Sequence, residues 1–261
     1  MTQDALLRLF ITLLIFAVIA AAETCFAKRQ FSQKKRQRWP GNLSLALFNG
    51  LLVRMLLPWL VPVLVAQQAA LLQFGLLNIW ALPFWLEMLI TVVLLDLLVY
   101  WQHRLFHRIP LLWRLHRLHH TDGHVDVTTA LRFHPLEIVL SLIVKSLAVC
   151  LLGAPVIAVL LFEVLLNGLA MFNHGNIKLP INIDRRLRKV IVTPDMHRVH
   201  HSVLAEEQRH NFGFNLSCWD RLLGSYQAQP RGGHQGMCLG LNETNQQQTG
   251  SLLWMLKQPF K

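Results

Sequence analysis

Five apolar runs divide this chain, at 5–22, 43–66, 79–101, 136–153 and 155–172. Each approaches or exceeds the length a helix needs to cross a bilayer. The two runs between Leu136 and Phe172 have about 18 residues each, or about 27 Å of helix at 1.5 Å per residue. Gly153-Ala154-Pro155 between them reads as a tight turn, so they form a hairpin. Only 15% of the 261 residues are charged and 53% are hydrophobic, whereas about a quarter of a soluble domain is charged. The pattern predicts an all-α, integral-membrane helical bundle of four to five spans.

Orientation follows from the cations. Lys28, Arg29, Lys34, Lys35, Arg36 and Arg38 follow the first run and belong in the cytoplasm. Ala20-Ala21-Ala22 resembles a signal-peptide cleavage site, but the start is not clearly basic, so an uncleaved anchor is expected. Pro58 and Pro62 interrupt the second run, and 67–78 carries no charge, which suits a loop on the far side. Trp80, Trp85, Tyr100 and Trp101 flank the third run as an interfacial belt. With the N-terminus outside, three of the 25 Lys and Arg residues lie within spans (Arg8, Arg54, Lys145) and the other 22 fall inside. All 13 histidines fall on that side too. The polar residues beyond Asn173 predict a cytoplasmic helical cap. The net charge of +11 fits this reading; no nucleic-acid-binding motif accompanies it. The expected organisation is a two-span region over 1–78, a catalytic domain over 79–230 and a tail over 231–261.

Charges within spans need partners. Lys145 and Glu163 lie at equal distances from the Gly153–Pro155 turn and are expected to pair; Arg54 is expected to meet Asp96 or Glu87. The four cysteines form no C-x-x-C pair, which gives no sign of a disulfide framework or a cysteine zinc site.

The histidines carry the chemistry. His103 and His107 are four apart; His116, His119 and His120 form His-x-x-His-His, and the pattern recurs at His197, His200 and His201. Spacings of three and four put each set on one helical face. Neutral imidazole ligates iron, copper, nickel and zinc. Eight to ten such ligands exceed one ion's needs and suit two ions with open positions. Zinc is the rival by ligand type, although a catalytic zinc usually takes three protein ligands and a water. Carboxylate di-iron bundles use paired Glu-x-x-His motifs; only Glu207-x-x-His210 occurs here, and no His-Glu-x-x-His. Asp122, Asp126 and Asp195 lie near the boxes as candidate acceptors for imidazole N–H groups, or as exposed acids.

These boxes, with Arg132-Phe133-His134-Pro135-Leu136-Glu137, Asn173-His174-Gly175-Asn176, Asn211-Phe212-Gly213 and Trp219-Asp220-Arg221-Leu222-Leu223-Gly224, resemble the fatty acid hydroxylase (sterol desaturase) superfamily from about Leu94 to Tyr226. The resemblance implies a non-haem di-iron centre, molecular oxygen as co-substrate, a lipid substrate and a separate electron donor of cytochrome b5 or ferredoxin type. It makes the eight box histidines ligands and His174 a ninth. His134 is either a ligand or a residue that orients one. Ala170 stands where some relatives carry another histidine, leaving the tenth position to His134 or water. His124, His210 and His234 fit no box. The rival readings are a membrane metal-binding protein, whether a transporter, which would place its ligands near mid-bilayer, or a metal sensor, and an inactive scaffold of the same fold.

Overall fold

A computed structural model describes residues 3–30, 33–80 and 82–261. Among them the structure is helical, and β-pairing is limited to isolated bridges such as Ala27 with Ile177. The long helices are α1 (Gln3–Cys25), α2 (Lys35–Leu56), α3 (Pro62–Leu71), α4 (Phe84–Arg108), α5 (Pro110–His120), α6 (Pro135–Leu152) and α7 (Val156–His174). Short helices α8 (Ile181–Leu187) and α9 (Pro194–His200) belong to the cap.

Prolines and glycines set the boundaries. Pro110 and Pro135 occupy first-turn positions of α5 and α6, where the missing N–H costs nothing. Gly153 ends α6 at φ +64, a left-handed cap for which glycine is suited. A Cβ on Gly75 would stand 2.2 Å from the Gly153 backbone nitrogen, so the segment after α3 meets this turn backbone to backbone.

Five stretches are long and apolar enough to cross a membrane: Leu6–Cys25, Pro62–Ile79, Phe84–Arg108, Pro135–Leu152 and Val156–His174. The second departs from expectation. No single helix covers 43–66, because α2 stops at Leu56, Pro58–Leu60 makes a 3-10 turn, and α3 restarts at Pro62. The proline pair removes two backbone donors there. The 62–79 stretch is itself broken after Leu71, where Gln73 and Gly75 take positive φ, and ten residues of α3 span only about 15 Å. Helices α2 and α3 therefore share one broken crossing. Asn49 of α2 bonds the Phe133 carbonyl near the cap, Ser146 of α6 bonds the Leu60 carbonyl at the break, and the turn after α3 reaches Gly153 at the remote end.

Helix α1 runs parallel to α7: Arg8 meets Glu163, and Ala27 bridges Ile177. It thus starts at the end remote from the cap. Glu163 makes its contact ion pair with Arg8 at 2.8 Å, so the expected Lys145–Glu163 pairing is left as an attraction without contact. Asp96 is also occupied, accepting from Trp219 Nε1 at 2.8 Å and Leu216 N at 3.1 Å, and Arg54 forms no ion pair among the described residues. Leu95, Val99, Val149, Val159 and Phe162 fill the space between α4, α6 and α7, while Phe10, Leu13, Leu147 and Leu151 face outward.

The cap is fastened to the bundle by buried charge. Arg38, at the start of α2, donates to Asp122 at 2.9 and 2.7 Å and to Asp126 at 2.9 Å. Arg132 donates to the carbonyls of Leu118 and Thr249, to Asn42 Oδ1 and to Thr121 Oγ1. Asp220 accepts from the backbone of Phe212 and Gly213 and from Ser225 Oγ, which holds the 211–225 loop in place.

Candidate metal centre

Helix α4 is continuous from the bundle into the cap, so its last two turns carry His103 and His107 inward. Helix α5 turns back beneath it with His116, His119 and His120; α7 ends on His174; α9 brings His197 and His200, with His201 at its C-cap. The three boxes and His174 converge into two groups. His103, His107, His116, His120 and His200 form the first; His119, His174, His197 and His201 form the second. Within each group one ligand atom per residue lies within 4.8 Å of all the others.

Helix geometry explains the division. At 100° per residue, positions four apart differ by about 40° and positions three apart by about 60° in the opposite sense. In each His-x-x-His-His box the outer pair therefore points one way and the middle residue another. His116 and His120 enter the first group while His119 enters the second; His197 and His201 enter the second while His200 enters the first. The sequence expectation of a shared face holds for each box only as a broad sector.

Hydrogen bonds fix several tautomers, because a carbonyl or carboxylate only accepts. In the first group His103 Nδ1–H donates to the Phe212 carbonyl (2.8 Å), His116 Nδ1–H to Glu137 Oε1 (2.6 Å) and His200 Nδ1–H to the His210 carbonyl (2.9 Å). The lone pairs of Nε2 on these three rings then face inward, and those atoms and His107 Nε2 are buried without any partner. In the second group His174 Nδ1–H donates to the Ala170 carbonyl at 2.7 Å. Its Nε2 stands 3.0 Å from His119 Nε2 and 3.1 Å from His197 Nε2, which is 3.3 Å from His201 Nε2.

Burial pushes His116 down to about 3, and it pushes His119, His120, His197, His200 and His201 well below the ordinary histidine range. Eight buried imidazoles and the half-buried His107, with lone pairs inward, would leave many polar atoms unsatisfied, a costly arrangement. A cation at the centre of each group would satisfy them. Neutral nitrogen donors suit a transition metal rather than Mg²⁺ or Ca²⁺, which take oxygen.

The remaining sequence candidates lie elsewhere. His134 caps α6, its Nδ1 accepting from Leu136 N at 3.1 Å while its Nε2–H faces the Leu256 carbonyl at 3.2 Å. Asp122 and Asp126 are bound to Arg38, and Asp195 to Arg198 at 2.5 Å and Lys28 at 2.7 Å; none accepts from a box imidazole. The acceptors behind the rings are Glu137 and three backbone carbonyls. Glu137 belongs to no histidine box, and its signal in the sequence is that of a lone acid at the head of an apolar helix.

Two openings reach the first group. A cavity of about 270 Å³ between α2, α4, α6 and α7 is lined by Val99, Phe106, Ile138 and Leu166 and ends on His103 and His116. A cleft of about 280 Å³ on the cap surface reaches His107 beside Trp113, Arg108 and Arg209.

A family model described as fatty acid hydroxylase matches residues 88–225, just over half of the chain. Ornithine lipid hydroxylase OlsE of Rhizobium tropici is 31% identical over 155 residues, covering 58% of this chain and 44% of that protein. Alkylglycerol monooxygenase of Homo sapiens is 30% identical over 135 residues (50% and 28%), and that of Danio rerio 29% over 136 residues (50% and 28%). The chain thus spans less than half the length of these relatives. No solved structure matches.

Proposed function

The chain belongs to the fatty acid hydroxylase family, and from that premise we propose that it is a membrane-bound oxygenase that hydroxylates or desaturates a C–H bond of a lipid. The observation that carries this reading is the convergence of nine imidazoles, eight buried and one half-buried, in groups of five and four, at the inner end of a cavity open among membrane helices. Two iron ions held there would supply the activation of molecular oxygen that an unactivated C–H bond requires.

The protein's own residues supply position and exclusion. His103, His107, His116, His120 and His200 would hold one ion, and His119, His174, His197 and His201 the other. Glu137 and the carbonyls of Phe212, His210 and Ala170 lock the rings with Nε2 inward, an outer-shell role that maintains ligand basicity. Phe106, Phe133 and Phe214 line the cavity beside His103 and His116 and keep bulk water from the reacting carbon. The substrate chain enters sideways from the bilayer between α2, α4, α6 and α7. The clustering of Lys and Arg supports a cytoplasmic cap, with the start of α1 outside. Electrons come from a separate carrier. The names of the relatives direct the search for substrate towards polar lipids bearing acyl or alkyl chains. A transporter is less well supported, since its ligands belong near the bilayer midplane and both groups here sit at the cap end of α4, α5 and α9.

The test is comparative lipid mass spectrometry of cells with and without the gene, complemented by wild-type protein, His119→Ala or His200→Ala. An oxidised lipid restored only by the wild type is the expected result. Restoration by either variant would refute the ligand assignment.

A further inference from the structure

The cavity that ends on His103 and His116 also has polar lining away from the histidines, from Lys145 and the exposed Asn167. Lys145 lies on α6 eight residues beyond Glu137, about 12 Å farther from the cap. It faces α7 well within the apolar span Pro135–Leu152. An ionisable side chain at such depth is costly, and it ordinarily pairs or serves function. The carboxylate nearest in depth is Glu163, and Arg8 holds it at 2.8 Å. Neither Lys145 nor Asn167 makes a hydrogen bond or a contact ion pair among the described residues, and the carboxylate that attracts Lys145 is Glu163, already in contact with Arg8. Gln102 and Ser141, the polar pair between Lys145 and the histidines, satisfy each other at 2.7 Å. Two cations and one anion thus stand at this depth, and the surplus cation looks into a cavity whose other end is the candidate metal centre.

On the reading of the site given above, we propose that Lys145 anchors the substrate: the cavity takes a single hydrocarbon chain whose carboxylate meets Lys145 Nζ, with Asn167 beside it. The carbon presented to His103 and His116 is then set by the chain length spanning about 12 Å along α6. The volume of about 270 Å³ suits one chain rather than two side by side. The anionic group answers the surplus charge. A neutral ester carbonyl would satisfy the hydrogen bonds but not the charge, and this distinguishes the two ligands experimentally.

Native mass spectrometry of the metal-free protein released from detergent at pH 8, titrated with palmitate or methyl palmitate, tests this. Wild-type protein is expected to bind palmitate at least tenfold more tightly than the ester. Lys145→Met abolishes that preference, Lys145→Arg retains it, and Arg54→Met, whose side chain faces outward from α2, leaves it unchanged. A wild-type protein with no preference for the acid overturns the proposal without any variant, and so does a folded Lys145→Met protein that keeps the preference. Because the measurement needs no metal, it fails or succeeds independently of the lipid oxidation that tests the function.

Discussion

Glu137 makes the only side-chain hydrogen bond to the rings of the first histidine group, apart from contacts among the rings, within the described residues. Replacing it with Leu removes the acceptor 2.6 Å from His116 Nδ1, at a position where both side chains are buried. The stranded N–H costs about 1–3 kcal/mol. The ring is also freed to adopt the tautomer whose lone pair points away from its four neighbours. Loss of such an outer-shell partner weakens metal binding by about 10–100-fold, which is about 1.4–2.7 kcal/mol. The two estimates overlap, so a loss of about 2 kcal/mol in affinity is expected at the first group alone. Glu137→Gln keeps an oxygen acceptor and should lose less. Titrating the metal-free protein with Co²⁺ and following its visible absorption separates the two binding events. A folded Glu137→Leu protein with both affinities unchanged would refute the assignment of Glu137 to the centre.

Metal-free protein should lose stability in acid. His116 titrates near 6.5 when unfolded and at about 3 when folded, so the unfolded chain takes up protons first. Its contribution is complete above pH 6.5 and is lost as pH falls towards 3, amounting to about 2 kcal/mol at pH 5 from this residue alone; thermal unfolding between pH 7.5 and 5 measures it, and a constant midpoint would contradict it. His134→Ala should remove an N-cap worth about 0.5–2 kcal/mol while leaving metal content at the wild-type value, which elemental analysis of the purified variant checks. Arg38→Met strands Asp122 and Asp126 in the cap and should destabilise the protein by about 3–5 kcal/mol, read as loss of folded, monodisperse protein after heating in detergent.

The site was legible in the sequence because helical spacing is a local property. His103 to His107, and each His-x-x-His-His, fix ring directions within two turns, whatever the rest of the chain does. The division of each His-x-x-His-His box between two groups was equally implicit in the 100° step, but it becomes visible only once the helices oppose one another. What escaped depends on distant chain segments. Lys145 and Glu163 match in depth along their hairpin, yet Arg8 reaches Glu163 from 155 residues away and takes it. Asp122, Asp126 and Asp195 are close to the boxes in sequence but turn outward to Arg38, Arg198 and Lys28. Glu137, 21 residues from His116, is the acid that reaches a ring. His134 stood out as a histidine inside a motif, but its place before Pro135 is that of a helix cap. In the second crossing, Pro58 and Pro62 announced a break, though not that α2 would begin inside the cap and leave α3 to finish the passage.

The proposed chemistry requires two separate metal positions, one per histidine group. Iron stoichiometry of the purified protein, with the second group dismantled by His119→Ala together with His201→Ala, tests it most directly. The expected result is two irons per chain in the wild type and one in the double variant. A wild-type protein that never exceeds one iron, or a double variant that still holds two, would contradict it.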